Sequence, residues 1–252
     1  MRTEKYVERP NTPIRAKTII VGEKYSELEY PLKQLGIETI LVPDNPYVDS
    51  RLSGHADLSV LHLGGNKMLL APYLYGSEFA KKLSDRGVSL SFADIEQKEK
   101  YPDDAQLNIA IAGRTAFIGR KTIQSETAEF LIKEEYRIIP VNQGYSKCSM
   151  CIVDENSVIS SDEGICDAAR SIGMSAHKIK AGGIELTGFD YGFIGGSCCL
   201  ISRSELAFTG CIDNLNNHEK IKDFAESRGK SLIFLTNKPV FDVGSLIPIF
   251  EY

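Results

Sequence analysis

Apolar residues recur along this chain in one rhythm: a short apolar run, a polar turn, a second apolar run, a helix-spaced stretch and a third apolar run. Residues 108–119 (NIAIAGRTAFIG) open one such copy, and residues 59–70, 150–161 and 198–209 open three more. Repetition at a period of roughly 40–50 residues decides the fold class before any residue is read for chemistry. Helix spacing predicts helices over Tyr25–Leu35, Tyr75–Ser84, Ser125–Glu134, Glu163–Ser171 and Leu215–Ser227, all but the third stopped near a glycine. Strands are predicted at Thr18–Val21, Glu38–Val42, Val88–Phe92, Tyr136–Ile139, His177–Lys180 and Ser231–Leu235, and a hairpin joins Leu58–Leu63 to Met68–Ala71 across Gly64-Gly65-Asn66.

One copy is incomplete. Thr18–Val21 leads directly into a helix without a second hairpin strand, whereas Gly244–Ile249 is a strand with no helix after it. Joined, the two make one hairpin, so the C-terminal strand is expected to pair with the N-terminal one and close a ring without exposed sheet edges. The predicted architecture is an α/β, five-bladed propeller of hairpin–helix–strand repeats. Its expected boundaries in one domain are an extended arm over 1–16, repeats over about 17–53, 54–104, 105–144, 145–190 and 191–240, and a closing strand over 241–252.

Composition narrows the function classes. With 42% hydrophobic and 25% charged residues the 252-residue chain reads as an ordinary soluble globular protein. The net charge of −5 and the lack of a basic block give no reason to expect a nucleic-acid partner. No apolar run approaches the length of a membrane span, and residues 1–17 lack the apolar core of a secretory signal. Six cysteines then imply free thiols in a reducing cytoplasm. The Gly-Gly pairs at 64 and 182 are turn chemistry and not phosphate loops, so no cofactor is expected. The oligomeric state is left open.

In a ring, the loops that enter each repeat meet at the axis. They are Gly54-His55-Ala56-Asp57, Gln143–Cys148, Gly188–Gly196 and Phe241-Asp242. A cysteine with a histidine is the minimum pair for thiolate catalysis, and carboxylates beside them hold a cation or position water. Blander readings stand beside this one. Cys148 and Cys151 form a C-x-x-C pair that suits a thiol redox protein or half of a zinc site. His55 and Asp57 suit a plain Asx-turn. Cys198 and Cys199 alternate on a strand and suit packing. His62, His177 and His218 are read as structural or surface, and Asp44, Asp49, Asp103 and Asp104 as solvated loop charges.

These motifs resemble those of the pentein superfamily of guanidine-modifying enzymes: arginine and agmatine deiminases, amidinotransferases and dimethylarginine dimethylaminohydrolases, which are five-bladed α/β propellers with a central Cys/His site. His55-Ala56-Asp57 before a strand is similar to their His-x-Asp. Gly144-Tyr145-Ser146-Lys147-Cys148 is similar to the approach to their nucleophilic cysteine, and Asp190–Ser202 to the segment that supplies their guanidine-binding acid. The cyclic order of Asp190, Asp242, His55, an unremarked third copy and Cys148 matches the family's with the termini moved, as in a circular permutation. The resemblance implies Cys148 as nucleophile and His55 as acid/base. It implies Asp57, Asp242 and Asp190 as ligands of a small cationic guanidino or amidino substrate, with no metal. Where the family places an acid at the strand entrance, this chain has Gly195-Gly196. The expected function is thus a cysteine-dependent hydrolase or transferase working through a covalent Cys intermediate. The alternatives are a non-catalytic, ligand-binding protein of the same fold that has lost the guanidine-binding acid, and a Cys148–Cys151 redox protein.

Overall fold

A computed structural model describes residues 4–216 and 218–252. Among the described residues sixteen strands form five small sheets. Four sheets have the same build, an antiparallel hairpin, a helix, and a third strand that returns parallel to the second. They are β4 (Val60–His62), β5 (Lys67–Leu70) and β6 (Ser89–Phe92); β7 (Ala110–Ala112), β8 (Thr115–Gly119) and β9 (Arg137–Val141); β10 (Met150–Asp154), β11 (Ser157–Ser160) and β12 (Ser175–Lys178); and β13 (Cys198–Ser202), β14 (Glu205–Phe208) and β15 (Ser231–Phe234).

The remaining sheet is the split copy. Here β2 (Ala16–Gly22) pairs antiparallel with β16 (Ile247–Glu251), Ile247 opposite Ile20, and parallel with β3 (Glu38–Val42). The chain's end therefore completes the sheet that its beginning opens. The expected arm is not merely extended: β1 (Lys5–Tyr6) adds a further antiparallel strand to β16, and the Tyr6 and Phe250 rings lie 5.3 Å apart. Residues 1–3 of the predicted arm lie outside the described residues.

Burial runs in one direction across each sheet. The entering strands β4, β7 and β13 are wholly buried and β10 nearly so, whereas the returning strands β6, β9, β12 and β15 are largely half-exposed or exposed. The entering strands thus form the inside of the ring. Side chains that alternate along them feed two cores each: Cys198 and Leu200 pack with Ile159 and Phe208, while Cys199 and Ile201 pack with Ile19 and Val21. Five apolar clusters result, each shared by two successive sheets, the last joining the fifth sheet to the first.

The helices each keep an exposed face, except the short turn Ser146–Ser149, which is wholly buried and leads into β10. In chain order they are α1 (Glu29–Gln34), α2 (Glu78–Asp85), α3 (Ser125–Lys133), the short α4 (Ser146–Ser149), α5 (Glu163–Ser171) and α6 (His218–Ser227). Ser77 and Asp162 cap α2 and α5 by accepting from the amides of Ala80 and Ile165. The helix predicted over Tyr25–Leu35 is instead a 3-10 stretch, Glu23–Leu28, running into α1. Pro31 has no N–H and its ring would clash with the carbonyl of Glu27, so a helix through both is broken and restarts with proline in its first turn. Residues 215–216 precede α6 instead of belonging to it, and Asn217 of the predicted helix lies outside the described residues. Among the described residues no helix is long and apolar enough to cross a membrane.

Candidate active site

Each entering strand is reached through a tight turn, and the five turns touch one another. Residues Ala56–Leu58 precede β4, Asn108 precedes β7, α4 precedes β10, Gly195–Ser197 precede β13 and residues 242–245 precede β16. Backbone bonds tie them together: the Asp57 amide donates to the Gly244 carbonyl at 3.0 Å, and the amides of Val243 and Ser245 donate to the Gly196 carbonyl, each at 3.0 Å. Side chains from all five repeats are thereby held at one place.

Cys148 is 2% exposed, and its thiol donates to Asp57 Oδ2 at 2.9 Å. Asn108 holds the cysteine from two sides. Its Nδ2 donates to Sγ at 3.3 Å, while its Oδ1 accepts from the amides of Lys147 and Cys148 at 2.8 and 3.1 Å. The hydroxyl of Ser245 donates to Asp57 Oδ2 at 2.7 Å. One donor or acceptor atom each from His55, Asp57 and Cys148 lies within 4.8 Å of the others, a donor set that a divalent cation would also accept. Burial, then the negative charges of Asp57 and Asp242, push the Cys148 thiol well above its ordinary pKa. Burial lowers His55 to about 4, which leaves the imidazole neutral near pH 7. His55 Nε2 and Asp57 Oδ1 are buried without a hydrogen-bond partner. Both atoms therefore keep hydrogen-bonding capacity that a bound group could use.

Asp242 faces this group. Its Oδ2 accepts from the Phe193 amide at 2.8 Å and its Oδ1 from the Gly244 amide at 2.9 Å, while burial pushes its pKa up to about 6. The Gly195-Gly196 departure has a steric reason, since a Cβ on Gly196 would overlap the Asp242 carboxylate. Gly244 is likewise held at positive φ, with the His55 side chain where its own would be.

His55, Cys148, Asp242 and Asp190 line one cavity of about 280 Å³. Asp190 is exposed at its rim, separate from the buried carboxylate. Asp57 does not line the cavity. It sits behind the thiol, between Cys148 and Ser245. The walls are apolar, from Leu52, Leu186, Tyr145, Phe193 and the exposed rings of Phe189 and Tyr191.

Two residues here carry no signal that sequence reading used. Asn108 opens the third copy, where no acid or base was seen, and Ser245 lies in the closing strand's approach; both stand at positions equivalent to those of the other site residues. Asp104 corrects an expectation. It is 2% exposed instead of solvated, and its carboxylate accepts the Tyr145 hydroxyl beneath the cavity wall. The C-x-x-C pair is also divided: Cys148 faces the cavity, whereas Cys151 packs in the apolar cluster between the fourth and fifth sheets, where its thiol meets that of Cys198.

No curated protein matches the chain in sequence. Solved structures match it over nearly its full length. An inosamine-phosphate amidinotransferase from Streptomyces griseus superposes with a TM-score of 0.63 at 11% identity, covering 97% of each chain. A C. jejuni agmatine deiminase gives 0.53 at 10% identity, covering 93% of this chain and 92% of that one. DDAH from Pseudomonas aeruginosa gives 0.52 at 12% identity, covering 87% and 92%. At such identities the likeness speaks to fold, and the fold is the pentein propeller that the repeats and motifs suggested. By sequence, the model described as a family of unknown function, DUF6873, matches residues 19–247, and the chain belongs to that family.

Proposed function

We propose that this protein is a cysteine-dependent hydrolase or transferase of a small guanidino or amidino compound. The observation that carries the reading is the convergence of Cys148, His55 and Asp242 on one cavity, with the reactive atoms of His55, Asp57 and Cys148 within 4.8 Å of one another. The solved relatives act on such compounds, among them a deiminase of agmatine and two amidinotransferases.

Without a cation beside it the thiol stays protonated, because burial first, and then the charges of Asp57 and Asp242, oppose a thiolate. A cationic guanidinium set against Asp242 reverses that balance and lets the thiolate form. The thiol proton passes onto the Asp57–His55 group as the bond from Sγ to the amidine carbon forms. The bond from that carbon to the departing amine then breaks as His55 returns the proton to the amine nitrogen. A thiouronium-type adduct on Cys148 remains. Water, deprotonated by His55, or an acceptor amine attacks the adduct, and the C–S bond breaks to restore the thiol. Asn108 and Ser245 position the cysteine and Asp57 during these steps.

The test uses chloroacetamidine, a cationic alkylating reagent shaped like the substrate group, beside neutral iodoacetamide. Chloroacetamidine is expected to modify Cys148 faster, with Cys148→Ser abolishing the reaction as read by intact mass. Equal or slower reaction than with iodoacetamide rejects a guanidinium site. Preferential labelling without turnover of any guanidine offered is the outcome expected of a ligand-binding protein of this fold.

A further inference from the structure

The carboxylate at the cavity floor accounts for one cationic group, and the walls define what else the ligand carries. Tyr145, Phe193 and Tyr191 form a chain of rings, with centroids 6.3 and 6.4 Å apart, and Leu52 and Leu186 complete the enclosure. Among the described residues, no lysine or arginine lines the cavity. Two cations near its mouth are already engaged. Lys24 Nζ donates to the Ser50 carbonyl at 2.7 Å. Arg51 is paired with Asp49, donates to the Gly188 carbonyl at 2.7 Å, and lies 4.2 Å over the Phe189 ring. Lys147 is buried beside Cys148 but does not line the cavity, and its charge acts on Asp242, Cys151 and Cys199.

A guanidino amino acid would bring its tail carboxylate into this enclosure. It would find no cationic partner and would lie with Asp242 and Asp190 in the same cavity. Desolvating an unpaired charge is costly, and like charges raise that cost. An apolar tail meets the opposite conditions, since aromatic faces and leucines gain by covering it. The cavity of about 280 Å³ falls just below the usual range for small-molecule sites, roughly 300–1,000 Å³, so the tail is a single ring or short chain and not a peptide.

We infer that the substrate is a guanidine or amidine with a short apolar tail, alkyl or aryl, and no carboxylate. This rests on the guanidino reading above and adds to it the identity of the tail.

The experiment measures protection of Cys148 from chloroacetamidine in the full chain, with phenethylguanidine and arginine as competitors. Phenethylguanidine is expected to give half-protection at a concentration about tenfold or more below that of arginine, the factor that corresponds to 1.4 kcal/mol. Leu186→Arg, at a half-exposed wall position, supplies the missing cation and is expected to strengthen protection by arginine. Arginine protecting the unmodified protein as well as phenethylguanidine does, or neither protecting it, overturns the tail assignment even while chloroacetamidine outruns iodoacetamide. Loss of that reagent preference is instead failure of the guanidino reading itself, and the tail assignment goes with it.

Discussion

Asp242 is placed where folding and binding ask for different protonation states. Burial raises its pKa from 3.8 to about 6, partly offset by the Phe193 and Gly244 amides. An acid raised in this way contributes stability that is fully present below its unfolded value and is lost as pH rises through about 6, a cost on the order of 3 kcal/mol. A cationic ligand needs the ionised form, so the carboxylate is ready for binding only where it strains the fold. The ratio of chloroacetamidine to iodoacetamide labelling rates is therefore expected to fall as pH drops through about 6, as Asp242 protonates. Ionisation of the thiol affects both reagents and cancels in the ratio. A ratio that is flat from pH 8 to about 5 would remove Asp242 as the cation ligand. Histidine works in the opposite sense. Burial lowers both His55 and His62 to about 4, so each contributes stability above about 6.5 that is lost as pH falls toward 4. Thermal stability should decline across that window, and His62→Gln should make the decline shallower; an unchanged slope would show that His62 carries none of it.

Among the elements, α4 shows best how a single polar side chain fixes a reactive one. The turn is only four residues long, and Asn108 satisfies two of its amides while donating to the thiol. Asn108→Ala leaves two buried N–H groups without that acceptor, at a cost of roughly 2 kcal/mol, or about 5 °C in Tm for a chain of this size. It should also slow alkylation of Cys148 by both reagents alike, because it loosens the nucleophile and leaves Asp242 in place. A selective loss of the amidine reaction would instead make Asn108 a ligand-binding group. The repeat was legible in the sequence because each element has its own period. Glu38–Val42 and Glu163–Ser171 have the predicted bounds, and the split hairpin could be inferred from a missing strand at one end and a spare one at the other. Cys148, His55 and Asp242 could be brought together because they stand at equivalent places in that repeat. Asn108 stood at such a place too, but an amide has no pKa near neutrality to draw notice, and its role depends on a contact 40 residues away. Asp104 was missed for a related reason: its carboxylate is held by the hydroxyl of Tyr145, 41 residues further along the chain, which no local pattern encodes.

At the scale of the whole molecule, the ring exists only if its last strand is present. β16 lies between β1 and β2, so without it both would face an open edge. Its loss would also open two of the five cores: Ile247, Ile249 and Phe250 belong to the cluster between the first and second sheets, and Val243 and Leu246 to the one between the fifth and first. Five buried apolar side chains at about 2 kcal/mol each come to roughly 10 kcal/mol, the size of a typical net stability. The site would be dismantled as well, since Ser245 holds Asp57 and the Gly244 carbonyl holds the Asp57 amide. We therefore expect a chain ended after Asp242 to lose cooperative melting and all preference for chloroacetamidine, even though every repeat's helix remains. A truncated chain that stays soluble and melts cooperatively would show that the sheets fold independently, and the proposal that the repeats form one domain would then be wrong.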